Sequence, residues 1–319
     1  MKEKKDRDVL KIARAAIGTA GLVSLAAVLS ADHYLKIAID REAPKMVTLS
    51  ANRIAGSIAD SEFNKDRIEK GAILAERKCE TVQIESHDGL KLVGHWFPKD
   101  GAKRVVIAVH GWRGSWAETF GTVSDTWERN GCSVLYIEQR AHDSSGGDYM
   151  GFGLLERYDC LDWVKWVTQR CGKDVPIYLC GVSMGASTVL MAAGLDLPDN
   201  VHGIIADCGY TSPYAIWQHI ANNNLHIAFG IRGRIADEIL KQKIQIGSND
   251  YSTVEALQSS RIPVLLIHGS NDHFVPVEMT YENYLACAGE KRLLIVPGAD
   301  HGMSYFTEPE KYEAAVVNF

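Results

Sequence analysis

Residues 181–185 read Gly181-Val182-Ser183-Met184-Gly185, a G-x-S-x-G pattern set between the apolar run Ile177–Cys180 and the small-residue segment Ala186–Leu195. A serine hydroxyl becomes a useful nucleophile only when a neighbouring base takes its proton. A strand–turn–helix context presents such a serine on a sharp turn, and glycines on either side let other backbone come close. Five residues alone would also describe an incidental glycine-rich turn; the flanking strand and helix single this one out. The chemistry then calls for a carboxylate and an imidazole, acid before histidine in chain order. Asp272 lies in IHGSNDHFVP (267–276) and His301 in VPGADHG (296–302), each directly after an apolar run of strand length. Of eleven histidines, His301 alone combines that order with a strand end. Asp207 also ends a strand and ranks behind Asp272 as the acid. Asp300 adjoins His301 too closely to orient it, and His268 and His273 read as structural neighbours of the acid loop.

An acyl group attacked by Ser183 passes through an oxyanion, and each well-placed donor to it contributes about 2.7–4 kcal/mol. The backbone N–H of Met184, at a helix N-terminus, is one candidate. The N–H of Trp112, in the loop His110–Gly114 after the third strand, is the other. Trp112, Tyr210, Trp217 and Phe274 are the expected pocket walls, and their apolar character makes a small-molecule acyl ester the expected substrate. An insertion rich in His, Asn and Arg (His219, 222–224, His226, Arg232, Arg234) raises the alternative of a polar or anionic substrate.

These groups must be held by something. From Thr81 onward, apolar runs of strand length alternate with helical segments, the mark of a mostly parallel sheet covered on both faces. The expected strands are 82–86, 92–97, 105–109, 134–138, 177–180, 203–207, 264–268 and 293–296. The first two flank His87-Asp88-Gly89, a hairpin signal. Helices are expected over 117–130, 156–170, 186–195 and 309–319, with a helical lid at about 211–260. Ligands in such sheets sit beyond the carboxyl ends of the strands, where this insertion departs.

The bulk numbers agree with an enzyme of this shape and exclude other classes. The 319 residues are 46% hydrophobic and 23% charged, with net charge -6 and pI about 6.0. No basic field or phosphate-binding glycine loop points to nucleic acid or nucleotide. The seven cysteines contain no CxxC and no zinc-like spacing, so neither a metal site nor a disulfide framework is expected. Residues 1–14 form a cationic tail (Lys2, Lys4, Lys5, Arg7, Lys11, Arg14), and 15–31 carry no charge. That run is at the short end of a bilayer-spanning helix, and an uncleaved signal anchor is expected, with the tail in the cytoplasm and the catalytic domain outside it. A helical linker is expected over 32–80 and the catalytic domain over 81–319.

The set HGWRG, GVSMGA, HGSNDHFVP and GADHG, in this order, resembles the α/β-hydrolase superfamily across roughly Thr81–Phe319. The segment EQRAHDSSGGDYMGFGLLERYDCLDWVKWV is similar to bacterial membrane-anchored hydrolases of the YqkD and Bem46 kind, described as serine aminopeptidase-like or esterase-like. The resemblance implies an eight-stranded α/β-hydrolase fold, the Ser183–His301–Asp272 triad and no cofactor. His142-Asp143-Ser144 departs from the His-Gly-x-Ser of such relatives, which bears on a local turn. Arg140, Glu138 and Asp148 read as a buried polar brace beneath the site. Peptidase action, acyl transfer and a non-catalytic binding role on the same scaffold stay open; a dehalogenase would carry Asp in place of Ser183.

Overall fold

The alternation of apolar runs closes into one eight-stranded sheet. The computed structural model describes residues 25–42 and 61–319. A first helix, α1, covers 25–39, and α2 (Glu62–Glu76) precedes the sheet. Next come β1 (Glu80–Glu85), β2 (Lys91–Phe97), β3 (Arg104–Val109), the short helices α3 (Trp116–Phe120) and α4 (Ser124–Arg129), and β4 (Cys132–Glu138). Then follow α5 (Glu156–Cys171), β5 (Ile177–Val182), α6 (Met184–Ala192) and β6 (Val201–Asp207). The insertion holds α7 (Pro213–His219), a π-helical turn (Ile220–Asn224), α8 (Gly230–Ile244) and α9 (Thr253–Ser259). The chain continues through β7 (Val264–Gly269), α10 (Val277–Ala286), β8 (Lys291–Val296), α11 (Ser304–Thr307) and α12 (Pro309–Val317).

The strand order is β1-β2-β4-β3-β5-β6-β7-β8. β1 pairs antiparallel with β2, and β2 antiparallel with β4; every later pairing is parallel. All eight expected strands are present, and Gly89 supplies the positive φ (82°) that the first hairpin needs. Why the central strands are apolar throughout is visible on β3. Val105, Ile107 and Val109 join the core on one face, with Leu179, Val189 and Trp163. Val106 and Ala108 join the core on the other, with Phe120, Trp127 and Tyr136. Period-two alternation into two dry layers leaves no place for a polar side chain.

Three expectations are corrected. The single helix over 117–130 is broken into α3 and α4, because Gly121 packs directly against the backbone of Lys70 and Gly71 on α2. The lid is shorter than 211–260: Ala256 and Leu257 of α9 are buried, Leu257 in the main core, so α9 belongs to the body. The boundary at residue 31/32 falls inside α1, whose Ala27, Ala31, Leu35 and Ile39 repeat every fourth position and are all buried. Ten residues of the expected membrane segment (15–24) lie outside the described residues, as do 1–14 and 43–60 of the cationic tail and linker. Among the described residues, no helix is long and apolar enough to cross a membrane.

Candidate active site

Ser183 is held where β5 turns into α6, with φ 57° and ψ -119°. That conformation is costly for a residue with a side chain and persists only where packing dictates it. The dictating contacts are backbone against backbone. A Cβ on Gly181 would meet the backbone of Gly185, and one on Gly185 would meet that of Val109 and His110. Ser183 N–H is tied to the carbonyl of Asp207 on β6 (2.8 Å). Behind it α6 is buried at every position, so the elbow stands on a rigid base.

Ser183 Oγ lies 2.9 Å from His301 Nε2, and His301 Nδ1 lies 2.7 Å from Asp272 Oδ2. The three groups named from the sequence therefore meet in one hydrogen-bonded line. Asp272 is fully spent: Oδ1 accepts the N–H of Phe274 and of Val275 (both 2.8 Å), and Oδ2 also faces His268 Nε2 at 3.1 Å. Burial alone would favour its neutral form, but His301, His268 and these hydrogen bonds hold its carboxyl far below the usual range. Burial likewise works against the imidazolium of His301, while the Cys208 sulfur and the Asp272 carboxylate raise its pKa well above the ordinary value. The Cys208 thiol is itself pushed up to about 11 by burial, so it is uncharged near neutrality. Asp272 is then the working cause. Asp207, the rival acid, is pushed up to about 6 by burial and takes a hydrogen bond from Ser304 Oγ (3.1 Å).

The loop after β3 presses against the elbow: a Cβ on Gly111 would touch the Ser183 side chain. His110 fixes it, donating from Nδ1 to Gly111 O (2.8 Å) and accepting Gln139 N–H at Nε2 (3.1 Å). Burial pushes His110 down to about 3, so it serves as a neutral two-ended strut. His142 accepts Arg113 N–H (3.0 Å) in the same manner. Its neighbour Asp143 adopts φ 40°, the left-handed conformation that a glycine takes at no cost, which accounts for the local departure noted in the sequence. The polar brace is corrected. Arg140 pairs with Asp159 and Asp88, Glu138 pairs with His95, and Asp148 has no part in either.

Trp112, Met184, Tyr210, Trp217 and Phe274 all line one cavity of about 690 Å³ with Ser183 and His301 on its wall. Sequence reasoning missed much of the remainder: Phe152, Phe229, Leu225 and, on α1, Ala31, Tyr34, Leu35 and Ala38. The fourfold spacing on α1 was the available signal, hidden inside a run read as membrane segment and linker. α1 is latched by the loop after β3. Trp112 Nε1 donates to Ala38 O (2.8 Å), and the Arg113 guanidinium donates to Ile37 O (2.9 Å), Asp40 O (2.7 Å) and Arg41 O (3.1 Å). Arg113 thus satisfies the carbonyls that a helix end leaves bare. Arg113→Ala is expected to cost about 1–3 kcal/mol of stability and to loosen α1 from the cavity wall. Thermal unfolding and hydrogen exchange of α1 check this; an unchanged midpoint with unchanged exchange would refute the latch.

Cys208, Asp272 and His301 bring potential metal-ligand atoms within 4.8 Å of one another, as do His87, Asp88 and Asp159. In the first group Asp272 and His301 are engaged with each other and with Ser183; in the second Arg140 supplies the cation.

A family model for the alpha/beta hydrolase fold matches residues 104–245. An esterase of Pyrococcus furiosus superposes with a TM-score of 0.61 at 25% identity, over 76% of this chain and 90% of its own. The protein has the α/β-hydrolase fold. Est1E of Butyrivibrio proteoclasticus, solved with ferulic acid bound, shares this α/β-hydrolase fold with a TM-score of 0.57 at 21% identity, over 75% and 97% of the two chains. Among curated relatives, the uncharacterized YqkD of Bacillus subtilis is 30% identical over 193 residues, which is 59% of this chain and 62% of that protein. The uncharacterized YfhR of Escherichia coli K12 is 29% identical over 230 residues, 70% and 73% of the two.

Proposed function

We propose that this α/β-hydrolase chain is a serine hydrolase of carboxylic esters, with Ser183 as nucleophile, His301 as general base and acid, and Asp272 as its orienting partner. The observation that carries this reading is the Ser183–His301–Asp272 line, at 2.9 and 2.7 Å, on the wall of an apolar cavity. Its size falls in the range of small-molecule sites.

Ser183 Oγ attacks the acyl carbon as its proton passes to His301 Nε2, and the carbonyl oxygen becomes an oxyanion. The N–H of Met184, first residue of α6 and without an intrahelical acceptor, receives it together with the N–H of Trp112. Collapse expels the alcohol, which leaves with the proton from His301, and an acyl-serine remains. Water then gives a proton to His301 and attacks the acyl carbon; the acid departs and Ser183 regains its hydrogen.

Peptidase action on a free amino terminus is disfavoured. The cavity wall offers a single carboxylate among the described residues, Asp300, and its Oδ1 is taken by the N–H of His273 (3.1 Å) and of His301 (2.7 Å), which leaves only Oδ2 for an ammonium group. Labelling with a fluorophosphonate tests the reading: a covalent adduct on Ser183 supports it, and no adduct in folded protein overturns it.

The cationic tail and the uncharged run that follows it support attachment to a membrane, with the catalytic domain on the extracytoplasmic side; Ala27 is buried and Ala31 lines the cavity, so that role falls to the part of the run ahead of them. The full chain is expected in the membrane pellet after a high-salt, alkaline wash; recovery in the supernatant would refute attachment.

A further inference from the structure

The outer face of α1 changes character part-way along. Its inner stripe, Ala27, Ala31, Leu35 and Ile39, is buried. Its outer stripe begins with Leu25, Val28 and Leu29, exposed at 55%, 42% and 60%. It continues with Asp32 and Lys36, which pair with each other at 2.7 Å. The first turns thus offer apolar surface and the next offer charge. α8 repeats the pattern: Ile231 in its first turn is 66% exposed, and the exposed residues that follow it are Arg234 and Glu238.

The two helices stand with these ends together. Asp40, just past the end of α1, meets Lys243 in the last turn of α8 at 3.3 Å. Leu35, Ile39, Leu240 and Ile244 share one apolar cluster. Nearer their starts, Ala31 and Tyr34 on α1 and Arg232 and Ala236 on α8 wall the same cavity. Helices of equal length, joined at their carboxyl ends and walling one cavity nearer their amino ends, run side by side. Leu25, Val28, Leu29 and Ile231 therefore lie at one end of the pair. Tyr34 and Ala228 are exposed and also on the cavity wall, so the cavity rim reaches this end.

Exposed apolar side chains scattered singly need no explanation, but a patch on the rim of a cavity does. What covers this one is indicated by the chain. Residues 15–31 are uncharged, and 25–31 of that run already belong to α1. The run enters the folded body with no polar spacer, so lipid that receives the residues ahead of Leu25 lies against the first turns of α1. A bilayer surface also accounts for the switch from apolar to charged at the same level on two helices, because lipid ends and water begins along one plane.

We propose that the amino-terminal end of α1 and the first turn of α8 seat in a phospholipid bilayer, and that the cavity takes its ester from that bilayer. The inference rests on the membrane-attachment and ester-hydrolase readings, and its test separates it from both. Full-length Leu29→Trp, Ile231→Trp and Leu285→Trp are floated with phosphatidylcholine vesicles, brominated on the acyl chains or not, beside the wild type. Leu285 on α10, 77% exposed, controls for apolarity alone. The indoles introduced at positions 29 and 231 are expected to lose at least about half their emission in brominated lipid, and the one at 285 almost none. Leu29→Glu combined with Ile231→Glu leaves the cavity wall untouched. It is expected to slow hydrolysis of p-nitrophenyl palmitate in the vesicles at least about tenfold, with dissolved p-nitrophenyl butyrate within about twofold of wild type. Flotation without quenching at 29 and 231 removes the docking face and leaves attachment standing; a second copy or another stretch of this chain would then cover the patch. No flotation removes both. Equal quenching at 285 would mean contact without a preferred face, which also overturns the proposal. Equal effects on the two esters would remove loading from the bilayer. Fluorophosphonate labelling of the same samples reports separately on Ser183: quenching without labelling keeps the docking face and removes the hydrolase reading.

Discussion

Exchange of Ser183 for Ala is expected to lower kcat for p-nitrophenyl ester hydrolysis by about 10⁴–10⁶-fold, with KM nearly unchanged. The effect is large because the substitution removes the atom proposed to form the acyl-enzyme, and among the described residues no other hydroxyl is hydrogen-bonded to His301 Nε2. Residual turnover reflects oxyanion donors and cavity binding acting on water. The cost to folding is small. Ala keeps the Cβ that the strained turn already accommodates, and Ser183 N–H remains on Asp207 O. Steady-state kinetics with circular dichroism checks both halves. A variant that keeps more than about a hundredth of wild-type kcat would remove Ser183 from the mechanism.

Asp272→Asn is expected to lower kcat by about 10⁴-fold and to move the acid limb of the pH profile. His301 must be neutral to accept the serine proton, and its pKa is raised well above the ordinary imidazole value. In the wild type, kcat/KM therefore climbs with pH through a limb lying above about 6.5. Asn keeps the shape of Asp but carries no charge. It also presents an NH₂ that steers the imidazole toward the wrong tautomer, hence the fall in rate. With the carboxylate gone, burial dominates and the imidazolium loses its support, so the limb shifts to lower pH. A pH–rate series on both proteins reads the two effects at once. An unshifted limb would show that Asp272 does not govern the proton affinity of His301, whatever the fall in rate.

These expectations draw on features of very different legibility. The elbow was readable because its causes are local. A strand, a G-x-S-x-G turn and a small-residue helix lie next to each other in the chain, and Gly181 and Gly185 are dictated by backbone contact. Asp272 and His301 could be singled out because each follows an apolar run in a fixed order, and strand ends in a parallel sheet converge at one edge. Asp207 could be ranked second but not dismissed from sequence. Only its hydrogen bond to Ser304, and that of Asp272 to His301, separate the two.

The sequence by itself determined the alternating α/β order and the eight strands, and it singled out Ser183, Asp272 and His301 as candidates, because periodicity and turn chemistry act over a few residues. Tertiary structure alone decided what surrounds them. α1, separated by more than seventy residues from the loop that latches it, became a wall of the substrate cavity through Arg113 and Trp112. Arg140 found Asp159 and Asp88, not the Asp148 nearer in sequence. Trp217, Asn224 and Arg232, from three elements of the insertion, came to line the same cavity. Such meetings depend on how layers pack and which partners arrive first, and no local pattern encodes the distance between side chains carried on different elements.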